Sequence, residues 1–183
     1  MPHYVRHMQN AYLLVNQFTA RLRFRAIEPG DFAHWLPFFQ NPENFAHWNE
    51  VIDDPHQACV DWYAKQFDRY HNQLGGMNAL IEQNTGALVG HAGLVVQTVD
   101  AQREVEIAYS LLPQYWGRGY ATEAAAACRD FAFCHGLAPS LISIISLTNV
   151  ASQRVALKNG MRVQKETVYK GNRVLIFRIH APG

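Results

Sequence analysis

The sequence lacks the patterns of a membrane protein, a disulfide-stabilised domain and a basic DNA-binding protein. No apolar run approaches the roughly 18 residues that cross a bilayer, and residues 1–10 do not form the apolar stretch of a signal peptide. The three cysteines are odd in number and have no C-x-x-C spacing, which argues against both a disulfide framework and a zinc site. The 16 Lys and Arg residues nearly balance 15 Asp and Glu residues, so there is no large positive field for duplex DNA. We therefore predict a cytoplasmic protein with no membrane or nucleic-acid partner.

The length and composition predict a single domain over residues 1–183, with residues 1–20 as a partly ordered N-terminal extension. Hydrophobic residues make up 49% of the chain and charged residues 17%, as in soluble globular proteins. His3 and His7 have the i, i+4 spacing of a helical metal pair, but no third ligand follows nearby. We expect no metal.

The apolar periodicity predicts an alternation of strands and helices. Charged and apolar residues alternate over 21–26, which indicates a strand. Apolar residues with helical spacing follow Asp31 and Asp54, so a helix is predicted after each. Asp31 is the predicted cap of the first helix, and Gly75-Gly76 is predicted to end the second. Further strands are predicted over 77–83, 87–96, 104–112, 141–147, 162–169 and 173–180, and further helices over 121–134 and 149–159. The order predicts one mixed α/β sheet.

The most informative segment lies between a predicted strand and the alanine-rich helix that starts near Ala121. Gly117 and Gly119 permit positive φ, and the start of the helix offers unpaired N–H groups and the positive end of its dipole. Arg118 adds a positive charge and Thr122 a hydroxyl group. Together these residues predict a site for a phosphate anion.

Three alternatives apply to this glycine-rich segment. Two glycines can simply turn the chain from strand to helix. A dinucleotide-binding fold needs a third small residue where Thr122 stands and an acidic residue about 20 positions later, but no Asp or Glu occurs between Asp130 and Glu166. An ATP-binding P-loop needs Gly-Lys-Ser/Thr, which is absent here.

Two spaced motifs resemble the GNAT N-acetyltransferase superfamily. Residues 106–111 and 114–124 resemble its acetyl-CoA signature, Gln/Arg-x-x-Gly-x-Gly/Ala, and residues 149–161 resemble its second motif in the ribosomal-protein N-terminal acetyltransferase (RimL/RimJ-like) form. Residues 21–25 resemble the opening strand of that branch. The resemblance spans roughly residues 20–180 and implies the GNAT fold, an α/β (α+β) arrangement with a mixed central sheet flanked by helices.

The resemblance also implies acetyl-CoA as cosubstrate and identifies a set of candidate binding residues. In this family the strand before the glycine turn parts from its neighbour, and free main-chain N–H groups, here around residues 110–112, bind the pantetheine arm and the acetyl oxygen. The candidates that bind acetyl-CoA are Ser110, Leu111, Leu112, Gln114, Gly117, Arg118, Gly119, Tyr120, Ala121, Thr122 and Asn149. Asn149 is also a predicted helix cap.

Acetyl transfer requires a neutral amine, stabilisation of the oxyanion and a proton for the leaving thiolate. Many family members use a helical Tyr as the acid, but Ala156 stands at that position, and the RimL-like resemblance implies Ser152 instead. Glu106 is the preferred base, with Glu104 and Glu166 as alternatives. Each carboxylate could equally be a solvated or ion-paired group.

The resemblance predicts an N-acetyltransferase that acts on a primary amine, most simply the N-terminal α-amine of a protein. That amine has a pKa of about 7.7–8.0 against about 10.4 for Lys, so it needs only a weak base. The alternatives are a small acceptor such as an aminosugar, amino acid or polyamine, and a module that binds acyl-CoA without turnover. The sequence does not decide whether the chain forms a homodimer.

The first two predicted helices share an aromatic face. It either lines an acceptor groove or packs in the core, and its residues are Trp35, Phe39, Trp62 and Tyr63.

Overall fold

The structure, a computed structural model, describes residues 10–183 and is built on one seven-stranded sheet. The strands, in chain order, are β1 (Leu22–Arg25), β2 (Gly75–Glu82), β3 (Leu88–Val99), β4 (Gln102–Leu111), β5 (Ser140–Ser146), β6 (Arg162–Tyr169) and β7 (Asn172–His180). The helices are α1 (Phe32–Gln40), α2 (Pro55–His71), α3 (Tyr120–Cys134) and α4 (Val150–Lys158). The strand order in the sheet is β1-β2-β3-β4-β5-β7-β6, and only the β4–β5 pair is parallel. The predicted mixed α/β fold is confirmed.

Two local predictions were wrong because tertiary contacts use the residues differently. Gly75 and Gly76 lie inside β2 and do not end α2. A Cβ atom on Gly75 would stand 2.0 Å from the Leu94 carbonyl oxygen, so a glycine is required for β3 to approach. The Asp31 side chain does not cap α1; it accepts hydrogen bonds from the Arg25 guanidinium and from the Glu28 N–H at 2.9 Å.

Two layers of apolar side chains cover the sheet. One layer packs under α3 and α4 and includes Phe24, Ile107 and Cys128. The other packs under α1 and α2 and contains the aromatic side chains that were considered for an acceptor groove: Trp35, Phe39 and Tyr63 are buried, and Trp62 packs against them. These four residues therefore belong to the core.

The first described residues also pack onto the sheet. Leu14 is fully buried, and its N–H donates to the Asn78 side-chain oxygen at 3.0 Å. His3 and His7 lie outside the described residues, and residues 10–183 contain no cluster of three or more potential metal ligands. Within that same range, no helix has the length and hydropathy needed to span a bilayer.

The core holds an unusual histidine. His91 on β3 is fully buried, with its ring 4.3 Å from that of Trp35 and 4.8 Å from that of Trp62, measured between centroids. Neither ring nitrogen has a hydrogen-bond partner among the described residues. Burial lowers the pKa of His91 from 6.5 to about 3, while the nearby charges of Asp31 and Arg25 act in opposite directions.

We expect the buried imidazole to make the protein less stable in acid. Between the ordinary pKa of 6.5 and about 3, the unfolded chain binds a proton that the folded chain excludes, so the free energy of unfolding falls by up to about 1.4 kcal/mol per pH unit. His91→Phe should flatten this dependence between pH 6.5 and 4.5, as measured by urea denaturation. His34→Phe, at an exposed position, should keep the wild-type slope. An unchanged slope in His91→Phe would contradict the assignment.

Candidate active site

A cavity of about 760 Å³ opens where β4 and β5 part, between the start of α3, the α4 helix and the loop of residues 41–54. The strands are paired only where Glu106 stands opposite Ile142. Most of the residues predicted for the site line this cavity: Glu106, Ser110, Leu111, Gly117, Gly119, Tyr120, Ala121, Thr122, Asn149 and Ser152. Leu112, Gln114 and Arg118 were predicted with them but do not line it.

The glycine-rich turn has the geometry of an anion site. Gly117 and Gly119 have φ values of 72° and 82°, in the left-handed region, and Gly119 is the residue that precedes the first turn of α3. No main-chain carbonyl among the described residues accepts a hydrogen bond from the N–H groups of residues 119–122. Since the positive end of the α3 dipole lies at the same place, the turn can bind a phosphate group through main-chain donors alone.

Arg21, which the sequence analysis did not assign to the site, supports this turn from behind. Its guanidinium donates to the Arg118 carbonyl oxygen at 2.9 Å and pairs with Glu123 at 2.7 Å. The same group lies 4.3 Å from the centre of the Tyr120 ring. These contacts connect the glycine turn to β1, so a residue from the far edge of the sheet fixes the conformation of the turn.

The gap between β4 and β5 offers fewer free amides than expected. The Leu112 N–H donates to the Val89 carbonyl oxygen at 3.0 Å, so the prediction that it is free was wrong. Donors alternate along an antiparallel pair, and in the β3–β4 register the Ser110 N–H faces β3 as well. The N–H groups of Tyr109 and Leu111 face the gap. Leu111 therefore remains as the predicted main-chain donor.

The start of α4 forms another wall of the cavity. Asn149 caps the helix, because its side-chain oxygen accepts the Ser152 N–H at 3.0 Å, as predicted. The Ser152 carbonyl oxygen accepts a hydrogen bond from the Tyr109 hydroxyl at 3.0 Å. Burial raises the pKa of Tyr109, so this hydroxyl stays protonated. Ala156 is buried and carries no proton donor.

The three candidate carboxylates have different surroundings. Glu106 is buried and accepts a hydrogen bond from the Gln97 amide at 2.9 Å. Burial raises its pKa above 4.5, although the Gln97 bond acts in the opposite direction. Glu104 pairs with Arg178 at 3.1 Å, and Glu166 pairs with Arg173 at 2.8 Å. Of these three carboxylates, only Glu106 lines the cavity.

The loop of residues 41–54 closes one end of the cavity and was not foreseen. Glu43, Asn44, His47 and Trp48 from this loop line it. Two hydrogen bonds hold the loop in place: one joins the His47 ring to the Thr148 hydroxyl at 2.9 Å, and the other joins the Asn49 N–H to the Asn172 side chain at 2.8 Å. The loop carries no motif, so no signal in the sequence could have placed it there.

Two cations on α4 were also missed. Arg154 and Lys158 line the cavity, one helical turn apart. The i, i+4 spacing is visible in the sequence, but it predicts only a shared helix face. The tertiary packing of α4 beside the gap between β4 and β5 places this face at the cavity.

Comparisons with known proteins agree with this arrangement. The family model for the acetyltransferase (GNAT) domain matches residues 21–162. The chain is 32% identical over 159 residues to YkkB of Bacillus subtilis (strain 168), an alignment that covers 85% of this chain and 89% of YkkB. The crystal structure of an acetyltransferase from Agrobacterium tumefaciens str. C58 superposes with a TM-score of 0.77 at 25% identity, covering 92% of this chain and 96% of that one.

A protein solved in complex with a coenzyme A derivative has the same fold. Mycobacterium smegmatis RimJ in complex with CoA-disulfide has a TM-score of 0.71 at 18% identity, with 87% of this chain and 82% of that chain covered. At this identity the likeness concerns the fold. The family match and the relative from Bacillus, together with the glycine-rich turn at the start of α3, lead to one conclusion: the chain belongs to the GNAT family of acetyl-CoA-dependent N-acetyltransferases.

Proposed function

We propose that the acceptor is the N-terminal α-amine of a protein, as in the ribosomal-protein N-terminal acetyltransferase (RimL/RimJ-like) branch. The observation that carries this proposal is the single buried carboxylate, Glu106, on the cavity wall where β4 and β5 part. An N-terminal amine is easier to neutralise at pH 7 than Lys, by roughly 3 kcal/mol. One carboxylate with a raised pKa is an adequate base for such an amine.

The proposed binding mode uses two parts of the cavity, the glycine-rich turn before α3 and the gap between β4 and β5. The N–H groups of residues 119–122 and the α3 dipole bind the pyrophosphate of acetyl-CoA, with Arg118 adding charge from outside the cavity. The pantetheine arm and thioester then occupy the gap between β4 and β5, where the Leu111 N–H stabilises the acetyl oxygen as negative charge develops on it. Ser110 and Asn149, which line the cavity, contribute side-chain contacts to the same ligand.

The proposed chemistry is a direct transfer. Glu106 accepts a proton from the acceptor ammonium, and the neutral nitrogen attacks the thioester carbonyl carbon to form the C–N bond. The C–S bond breaks when the tetrahedral intermediate collapses, and the Ser152 hydroxyl donates a proton to the departing thiolate. Ser152 regains that proton from the nitrogen of the new amide, directly or through water, so atoms and charge balance.

The acceptor class can be tested by incubating the full-length chain with acetyl-CoA and three acceptors: an alanine tetrapeptide amide, spermidine and glucosamine. Thiol release gives the rate, and mass spectrometry identifies the acetylated product. We expect the peptide to be acetylated fastest, and the same peptide with a blocked N-terminus to be inert. Faster reaction of spermidine or glucosamine would replace the proposal by a small-amine acetyltransferase. Tight acetyl-CoA binding with no acetylated product would indicate a binding module.

A further inference from the structure

A chain of hydrogen bonds connects the last turn of α2 to Glu106. The Arg69 guanidinium donates to the Gln97 side-chain oxygen at 3.1 Å. The Gln97 amide nitrogen donates in turn to a carboxylate oxygen of Glu106 at 2.9 Å. Gln97 stands two residues after Val95, which pairs with Glu106 in the β3–β4 register, so both side chains lie on the same face of the sheet. A residue on a helix thus reaches the proposed base through one intervening side chain.

Arg69 fixes the orientation of the Gln97 amide. The nitrogen and oxygen of a Gln side chain are assigned from their hydrogen bonds, and a guanidinium group can only donate. The Gln97 oxygen therefore faces Arg69, and the amide N–H faces the carboxylate. An amide turned the other way would instead accept a hydrogen bond from the neutral carboxyl form of Glu106. The Arg69 contact favours the ionised form, because a hydrogen bond donated to a carboxylate stabilises its charge.

Arg69 also makes contacts that support only the fold. Its guanidinium donates to the Val96 carbonyl oxygen at 3.0 Å and to the Leu74 carbonyl oxygen at 3.4 Å, where β2 begins beside β3. None of the ion pairs among residues 10–183 includes Arg69. The main-chain contacts account for a structural role, and the contact with Gln97 is the one that continues to the cavity wall.

Glu106 has several charged or titratable neighbours, and Arg69 differs from the others. These neighbours are Lys65 and Arg69 on α2, Tyr109 on β4, and Lys170 in the turn between β6 and β7. Burial raises the pKa of Glu106, while the Gln97 hydrogen bond, the Ile144 N–H and the charges of Arg69 and Lys170 lower it. Of these neighbours, Arg69 is the one that is hydrogen-bonded to Gln97. It therefore acts on Glu106 through an oriented bond as well as through its charge.

We infer that Arg69 is a positioning residue for the base: through Gln97 it fixes the Glu106 carboxylate by a donated hydrogen bond, and the other carboxylate oxygen receives the proton of the acceptor. The inference rests on the proposed function, in which Glu106 is the base. Neither Arg69 nor Gln97 lines the cavity, whereas Glu106 does. Both residues thus act from behind Glu106, without contact to acetyl-CoA or to the acceptor amine.

The test uses Arg69→Met, Gln97→Met and the double variant, assayed with acetyl-CoA and the alanine tetrapeptide amide. We expect each single variant to lower kcat about tenfold and to move the acidic limb of the kcat profile about one pH unit higher, the effect of losing one hydrogen bond to a charged group. The kcat profile reports the enzyme–substrate complex and not the free amine. The double variant should be no slower than the slower single variant, because the two side chains act as one unit.

The matched control is Lys65→Met, which removes a positive charge near Glu106 from the same helix, one turn earlier. Lys65 is exposed and donates no hydrogen bond to Gln97, so this variant should keep kcat and the acidic limb near their wild-type values. The affinity for acetyl-CoA, measured by calorimetry, should be that of the wild type in all four variants, because none of the substituted residues lines the cavity.

An unmoved limb in Arg69→Met overturns the inference even if the rate falls, because a loss of stability alone does not change the pH at which the base ionises. A double variant that is slower than either single variant by a further factor of about ten overturns it too, since the two side chains then act independently. If Arg69→Met does not fold, Gln97→Met decides: an unmoved limb overturns the inference, and a raised limb with a lower kcat supports it.

The same assays separate this inference from the proposed function. If the wild-type chain prefers another amine, the proposed acceptor class fails, and the variants are assayed with that amine, where a raised limb still supports the role of Arg69. If Glu106→Gln keeps the wild-type rate, the inference is overturned although acetyl transfer to the peptide still holds. If the wild-type chain acetylates none of the acceptors, both fail.

Discussion

Replacing Gly119 by Trp should weaken acetyl-CoA binding at least about a hundredfold, because the indole would displace Arg21, which supports the turn, and so move several N–H groups that bind charged phosphate oxygens. Gly119 has a φ of 82°, and a Cβ atom there would lie 3.4 Å from the Arg21 guanidinium. The side chain therefore cannot retreat towards β1 without disturbing Arg21. Titration calorimetry with acetyl-CoA measures the effect.

The matched control for backbone strain is Gly86→Trp. Gly86 has a φ of 72°, lies in the turn between β2 and β3, and has no atom within 4 Å of its ideal Cβ position. A side chain in the left-handed region destabilises both variants by a similar amount, roughly 1–2 kcal/mol. Only Gly119→Trp should lose its affinity for acetyl-CoA. If it binds acetyl-CoA as the wild type does, the pyrophosphate does not bind at this turn.

Replacing Glu106 by Gln should lower kcat about a hundredfold or more, the usual contribution of a general base. The substitution keeps the size of the side chain and a hydrogen-bonding group beside Gln97, but it removes the proton acceptor. Because burial raises the pKa of Glu106 above 4.5, the acidic limb of the wild-type kcat/KM profile should lie above pH 4.5. Steady-state assays across pH should show that this limb is absent in Glu106→Gln.

Stability and a second carboxylate serve as controls for this prediction. A carboxyl group with a raised folded pKa stabilises the fold below its unfolded pKa, and that contribution is lost as the pH rises through the folded pKa. Glu106→Gln should therefore be at least as stable as the wild type at pH 8, so unfolding cannot explain a loss of rate. Glu166→Gln changes an exposed carboxylate and should leave kcat unchanged. A wild-type rate in Glu106→Gln would exclude the base role.

The same assay tests the proposed acid. Ser152→Ala should lower kcat and spare the affinity for acetyl-CoA, because the Asn149 cap binds the main-chain N–H of residue 152 and not its hydroxyl. If the rate is unaltered, Ser152 is not the acid. Tyr109 would then be the next residue to examine, since its hydroxyl lies 3.0 Å from the Ser152 carbonyl oxygen.

Several features could be predicted because nearby residues decide them. Alanines with high helix propensity follow two glycines, so the position of α3 and of the glycine-rich turn before it can be read from one stretch of sequence. The Asn149 cap of α4 is equally local. The alternation of charged and apolar residues placed β1 to within a residue or two of its observed bounds.

Other features depended on contacts between distant parts of the chain. The Leu112 amide is used by β3, and Asp31 is used by Arg25, so neither could act as its local sequence suggested. Arg21 and the loop that carries Asn44 reach the cavity from β1 and from the segment after α1. The sequence by itself determined the fold and the position of the glycine-rich turn, because propensity and periodicity act over a few residues. Only the tertiary structure decided which side chains line the cavity, because that depends on where β4 and β5 part and which loop closes the end of the gap.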